Sequence, residues 1–271
     1  MSATEAKAKI SGAYSMIREA GKMLEEADEA IRRETGRRQG GNLFRLPLDT
    51  LHQLIQGDFA EAIFGIKAGN ELDANDRFSA VAIPHRDFGE AIFDVIGIDA
   101  DDVLEENAKH RLTLALRDVF PGRYAFDEPR DGWPWGRGKW DESTIRAYLQ
   151  DEEKGFLSGF PAAFRDMICT TKRITALSEG GQVETEERAF LLSLTEVFGN
   201  LTNGVEEGRQ YKFFKIPENR VKFRDGDAAR WWLRSPAAGI GSHARFVHTT
   251  GQVRNHIASY AYGLAPACVI A

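Results

Sequence analysis

Two cysteines in 271 residues, Cys169 and Cys268, exclude a disulfide framework. Both read as buried thiols, with a single disulfide as the alternative. No apolar run approaches the roughly 20 residues needed to span a bilayer. The first residues lack the basic segment and apolar stretch of a secretory leader. Positive charge is short as well. Lysine and arginine number 35 against 41 aspartates and glutamates, giving a net charge of −6 and a pI of about 5.6. That balance does not support a general nucleic-acid or anionic-membrane binder. These absences set the expectation of a protein made in the cytoplasm, with no membrane insertion and no nucleic-acid partner. Catalytic signatures are missing too. There is no nucleophile elbow, no P-loop and no dinucleotide fingerprint. Gly239-Ile240-Gly241-Ser242 is too short for a phosphate cradle.

What is present suffices for a sizeable core: 42% hydrophobic and 10% aromatic residues. Residues 4–34 read as an amphipathic helix. Ile10, Ile17, Leu24 and Ile31 recur every seven positions with Ala13, Ala20 and Ala27 between them, a heptad seam. The helix is an oligomerisation or docking element, or it packs on its own domain. The glycine-rich stretch at 36–41 then reads as a linker, so residues 1–40 form an extension and 41–271 the main domain. Within it, residues 41–130 are β-rich, with strands over 78–83, 91–98 and 111–116. Residues 48–55 form a short helix closed by Gly57. Further on, Asp141 is expected to cap a helix from 142 to about 150 that buries Ile145 and Leu149. Pro161 opens another, with Phe164, Met167 and Ile168 inward. Residues 190–194 suit a buried strand. Residues 246–248 and 252–254 flank Thr249-Thr250-Gly251 as a hairpin. The class is α+β, with many short strands and few helices.

Trp231-Trp232-Leu233-Arg234-Ser235-Pro236 is improbable by composition alone. In an extended segment one Trp should enter the core and the other line a surface or second layer. Arg234 should clamp a carboxylate or backbone carbonyls, and Ser235-Pro236 should stop the strand. We therefore expect Trp231, Trp232 and Arg234 to be structural, together with Trp140 and Arg146.

Several segments follow one another in order: Trp140-x-x-Ser143-x-x-Arg146-x-x-Leu149, Phe190-Leu191-Leu192-Ser193, Asn219-Arg220, Trp231 to Pro236, and Gly263-Leu264-Ala265-Pro266-Ala267. The series resembles an uncharacterised domain family of bacteria and their phages marked by the Trp-Trp-Leu-Arg-Ser-Pro string. Its members resemble C-type-lectin-like folds, the type of formylglycine-generating enzymes and of variable proteins of diversity-generating retroelements. The resemblance spans residues 45–271. Ala265 departs from it, standing where an arginine is usual. It implies a lectin-like domain, an origin in a phage or prophage, and a C-terminal recognition surface.

That surface is drawn from Ser242, His243, Arg245, His248, Asn255, His256, Ser259, Tyr260 and Tyr262, residue types that make adaptable polar contacts. The bland alternative is an ordinary polar hairpin. A second candidate lies at 127–142, where Asp127, Glu128, Asp131, Asp141 and Glu142 surround Trp133, Trp135 and Trp140. Aromatic faces stack on sugars and paired carboxylates can cleave glycosides. The alternative there is a core Trp140, a capping Asp141 and a packed Trp133-Pro134-Trp135 loop. Asp99, Asp101, Asp102, Glu105 and Glu106 could gather a hard cation, but a solvated loop suits them better. His243, His248 and His256 match no zinc spacing. Cys169 and Cys268 sit in apolar contexts unlike the reactive pair of a formylglycine-type oxidase. The expectation is a non-enzymatic binding or assembly protein without metal or cofactor. It would be a virion, tail or receptor-recognition component joined to itself or to other virion proteins through 4–34, and would contact a cell-surface protein or glycan. The alternative is a carbohydrate-binding lectin or carbohydrate-active enzyme using residues 133–142.

Overall fold

The computed structural model describes residues 42–57, 60–69, 71–87, 89–106 and 108–271. The expected helix over 4–34 and its linker lie outside the described residues. The described chain opens with β1 (Leu43–Phe44), α1 (Leu48–Gln56) and α2 (Ala60–Phe64). Strands β2 (Ala80–His85), β3 (Gly89–Ile98), β4 (Leu112–Leu116) and β5 (Phe120–Ala125) follow. Helices α3 (Thr144–Gln150) and α4 (Ala162–Met167) lead to β6 (Ile168–Cys169), β7 (Thr171–Ala176), β8 (Gln182–Glu187) and β9 (Ala189–Phe190). After α5 (Leu194–Phe198) come β10 (Lys222–Arg224), β11 (Asp227–Ala229), β12 (Trp231–Ala237), β13 (Ile240–Val247), β14 (Val253–Ile257), β15 (Ala261–Leu264) and β16 (Ala267–Ile270). The architecture is α+β with many strands and few helices.

Two sheets organise the chain. The first runs β1-β2-β3-β4-β16-β6, with β9 also pairing β16. The second runs β14-β13-β12-β15-β5. In β4 every residue is buried, as a strand covered on both faces requires. The last strand, β16, inserts antiparallel beside β4. The leading segment and the signature-bearing segment therefore share one sheet. Helix α1 buries Leu51, Leu54 and Ile55, a 3.6-residue stripe, and ends at Gly57. It packs on α4, which buries Phe164 and Met167. Between them and the first sheet runs an aromatic chain of Phe156, Phe160, Phe164 and Phe93, with ring centroids 5.2 to 6.0 Å apart. Each fully buried ring contributes about 1.5–3 kcal/mol through area removed from water.

Several expected boundaries move, each for a local reason. Helix α3 is capped by Ser143, whose Oγ accepts from Arg146 N at 3.3 Å, and not by Asp141. Asp141 sits one turn earlier, in a 3-10 turn over Trp140–Glu142. The strand expected over 190–194 ends at Phe190. Ser193 opens α5 with a capping box: its Oγ accepts from Glu196 N, and Glu196 reaches back to Ser193 N. Ile168 leaves the helix and begins β6. Strand β12 does not stop at Ser235-Pro236 but continues to Ala237. Its register against β13 shifts between Trp232 and Pro236, and such an irregularity tolerates a proline that cannot donate. Both tryptophans are fully buried, so neither lines a surface. The hairpin β13–β14 turns where the sequence placed it.

Candidate functional site

The signature residues converge on buried carboxylates and form the frame on which the surface is mounted. Glu187, fully buried at the end of β8, accepts from Trp140 Nε1 at 2.9 Å and from Arg146 Nε at 2.7 Å. The Trp-x-x-Ser-x-x-Arg spacing thus delivers an indole, a helix cap and a guanidinium to one place. Arg234 is fully buried and meets Glu196 in a bidentate pair, Nη1–Oε2 2.5 Å and Nη2–Oε1 2.9 Å. It also donates to the carbonyls of Leu191 at 2.9 Å and Glu207 at 3.0 Å. Trp231 Nε1 donates to Arg220 O at 3.0 Å, and Trp232 Nε1 to Tyr124 O at 2.9 Å. Trp231 stands over Phe214, while Trp232 packs on Phe126, Phe246 and Tyr262. Asn219 and Arg220 hold the carbonyls of Phe213 and Phe214. Ala265 lies fully buried in the core.

The nine residues expected to form one recognition surface are divided by the pleat. His243 faces Ile257 across the ladder and Arg245 faces Asn255, so these share one face. His256 lies opposite Ala244, on the other face with Phe246 and Arg254. There His256 stacks on Tyr260, centroids 4.4 Å apart, and edges Tyr262 at 5.8 Å. Tyr262 is buried and serves as floor. Tyr260 is 52% exposed. The Nδ1 of His256 has no hydrogen-bond partner. Burial, and after it the neighbouring His256, lowers the pKa of His243. Ser242 Oγ lies 3.1 Å from His243 Nδ1. His248 is absorbed by its own turn, with Nδ1 3.2 Å from Thr250 Oγ1.

The second candidate region joins the first. Ser259 N donates to Trp135 O at 3.0 Å, and Gly138 N to Gly241 O at 2.8 Å. A Cβ on Gly138 would lie 2.0 Å from His243 O, so only glycine lets the loop lie against β13 at this depth. The loop after β5 therefore runs alongside the β13–β14 ribbon and meets the turn that carries Tyr260. The expected packed loop proves open: Trp133 is 43% and Trp135 60% exposed. Arg137 stacks over Trp133, 4.6 Å from its centroid. Trp140 is core, as the bland reading had it. Three aromatic faces, Trp133, Trp135 and Tyr260, stand at one end of the second sheet with the half-buried His256 beside them.

The carboxylates of this region face cations or water, and Asp141, 3.4 Å from Lys139 Nζ through one oxygen, has its other oxygen buried without a hydrogen-bond partner. Asp127 is fully buried and accepts from Arg130 Nη1 at 2.9 Å, Arg137 N at 2.8 Å and Thr144 N at 3.2 Å. Glu142 bonds both Lys139 and Arg137. The Lys139 ammonium, and behind it the Arg137 charge, holds its carboxyl below the usual range. A general acid needs the opposite shift. Glu128 and Asp131 are exposed.

Elsewhere the sequence candidates dissolve into structure. The 99–106 cluster is not a solvated loop throughout. Asp101 is held by Arg173 at 2.7 Å, Tyr211 at 2.9 Å and Thr113, while Asp99 takes His110 at 2.9 Å. Among the described residues no three histidine, cysteine, aspartate or glutamate side chains gather as metal ligands. Cys169 and Cys268 are buried free thiols. Burial pushes their pKa values up to about 11 and about 12, where thiolate is scarce.

Two groups of functional residues carry little signal in the sequence. Glu187, Glu196 and Glu207 anchor the signature residues, yet each is distant in sequence from what it holds. Only Glu196 carried a local sign, the Ser193-x-x-Glu196 capping box. The second group is a set of arginines, Arg123, Arg224 and Arg230, around a cavity beside Tyr260.

A model of the family described as a domain of unknown function, DUF6273, matches residues 116–271, more than half of the chain. The match starts at the last residue of β4 and takes in every signature segment. No curated protein and no solved structure matches the chain.

Proposed function

The chain belongs to the DUF6273 family, and from its geometry we propose a non-enzymatic binding protein that takes a glycan on the Trp133, Trp135 and Tyr260 surface. The observation that carries the reading is the hydrogen bond between Ser259 N and Trp135 O, which brings two separate aromatic segments side by side. Exposed large aromatics cluster here, and an indole face left open to water is costly unless something covers it. Rings of this kind stack on the apolar faces of sugars, while His256, Ser259 and Arg137 offer hydrogen bonds at the rim. Hydrolysis is disfavoured because Asp127 is held by Arg130 and by backbone donors, and Glu142 by Lys139 and Arg137, which leaves neither poised as a general acid.

We read the scaffold as C-type-lectin-like. The ordered signature supports this, as does the way the chain's last strand returns to the first sheet while the long loop of 126–140 is displayed on the second. A role as a phage or prophage tail or receptor-recognition component follows from the same resemblance, with residues 4–34 joining copies or neighbours. Glycan-array binding paired with a hydrolysis assay tests the function. Retention of specific glycans without cleavage supports it. Cleavage, or no glycan bound, overturns it.

A further inference from the structure

Beside Tyr260 lies a cavity of about 480 Å³, within the range of small-ligand sites. Arg123 comes from β5, Arg224 from the end of β10, and Arg230 from the residue before β12. Tyr262 forms part of the wall, with the Arg230 guanidinium 5.5 Å from its ring centroid. Arg123 lies 101 positions before Arg224 and reaches the cavity from another strand, so nothing local in the sequence brings the three together.

We propose that this cavity binds the anionic group of an acidic saccharide, a carboxylate or a sulfate, whose neighbouring sugar rings lie on the aromatic surface. The inference rests on the glycan-binding reading above and names its ligand class. Among the described residues none of the three arginines makes an ion pair with a carboxylate, although carboxylates outnumber cations in this chain, 41 to 35. Arg224 donates through Nη2 to Gly122 O at 2.5 Å, but its Nε is buried without an acceptor. Burial, and next the neighbouring Arg123 charge, disfavours the charged form of Arg224, a repulsion that a bound anion would relieve. Guanidinium forks match carboxylate and sulfate oxygens.

Asp225 and Asp227, at the tip of the β10–β11 hairpin, line the same cavity. Three arginines against two aspartates leave a formal lining charge of +1. A polyphosphate backbone would be repelled by the aspartates. A sugar would use them, since their oxygens accept hydroxyl hydrogen bonds. Tyr260 lines the cavity and also belongs to the aromatic surface, so a saccharide seated on the rings would have its acidic group within reach of the arginines.

The test is an array of glycans in matched pairs, uronic- or sialic-acid-bearing and sulfated members beside their neutral counterparts. It is probed with wild-type protein and with Arg230→Gln and Arg123→Gln. Both arginines are exposed, so the fold should survive, and thermal melts confirm it. Wild type is expected to favour acidic members by about tenfold, the scale of one charged hydrogen bond partly screened by water. Each variant is expected to lose that preference while keeping its binding to neutral members. Which pairs respond separates carboxylate from sulfate. Equal binding of acidic and neutral members, or a preference that persists in both variants, overturns the inference and leaves the glycan reading standing. No binding to any glycan overturns both. Inorganic sulfate, followed through the arginine Nε–Hε NMR signals of wild type, probes the cavity alone. A saturable shift at Arg224 supports the anion site, and no shift overturns it.

Discussion

Glu196→Ala should be strongly destabilising. Glu196 lies almost wholly out of water and holds both guanidinium arms of the fully buried Arg234. It also accepts from Arg173 Nη1 at 3.3 Å and closes the α5 capping box through Ser193 N at 2.8 Å. Removing it leaves the Arg234 charge buried against carbonyls and the Thr175 hydroxyl, with no carboxylate partner, whereas Arg173 keeps Asp101. Breaking a buried pair from one side costs about 3–5 kcal/mol. Loss of the cap adds up to about 1 kcal/mol. We expect about 4 kcal/mol in urea denaturation, or roughly 8–16 °C in Tm for a domain of this size. The double variant Glu196→Leu with Arg234→Met removes both charges, and apolar replacement of a buried pair is often neutral. It should recover more than half of the loss. If Glu196→Ala stays within about 0.5 kcal/mol of wild type, the scale of an ordinary surface change, the idea that the signature arginine is a buried frame element is wrong.

Three further outcomes follow from buried or apolar groups. Burial drops the pKa of Lys222 to about 8, its ammonium held by the carbonyls of Leu116 and Arg117. The unfolded chain then binds more protons between that value and the ordinary lysine pKa, so stability rises with pH there: wild type should gain about 2 kcal/mol relative to Lys222→Met between pH 7.5 and 9.5, and parallel pH profiles in denaturant titrations would refute this. Cys169 and Cys268 should resist Ellman's reagent in native protein at pH 8 and react on unfolding; rapid native labelling would show that their burial is incomplete. Deleting residues 1–36 should abolish self-association by light scattering and leave a folded monomer, whereas a monomeric full-length protein with a less stable truncation would place that apolar stripe on the protein's own core.

The sequence disclosed elements better than partners. Helix α1, strands β2 to β4 and the β13–β14 hairpin were legible because periodicity and turn residues act over a few positions. Trp140, Trp231, Trp232 and Arg234 stood out by composition, and the frame they build is real. Their acceptors were invisible, since Glu187 lies 47 positions from Trp140 and Glu196 lies 38 from Arg234. The Phe-Leu-Leu-Ser run misled because a capping box at Ser193 outweighed β-prone neighbours. The nine polar candidates of the C-terminal ribbon were chosen by type, and the pleat then split them between faces. Trp133 and Trp135 looked like loop packing, but their exposure depends on Gly138 letting the backbone sink against β13 while the rings stay out. Nothing local encodes that.

The central claim, that the aromatic end of the second sheet is a glycan-binding surface, is tested most directly by isothermal titration of an array-selected oligosaccharide into wild type, Trp135→Ala and Tyr260→Ala. Both side chains are more than half exposed, so neither truncation should move Tm by more than about 2 °C. Each is expected to weaken binding by roughly 10- to 100-fold, the loss of one stacking face. Unchanged affinity in both variants, with wild type binding the sugar, would place the site elsewhere and contradict the account.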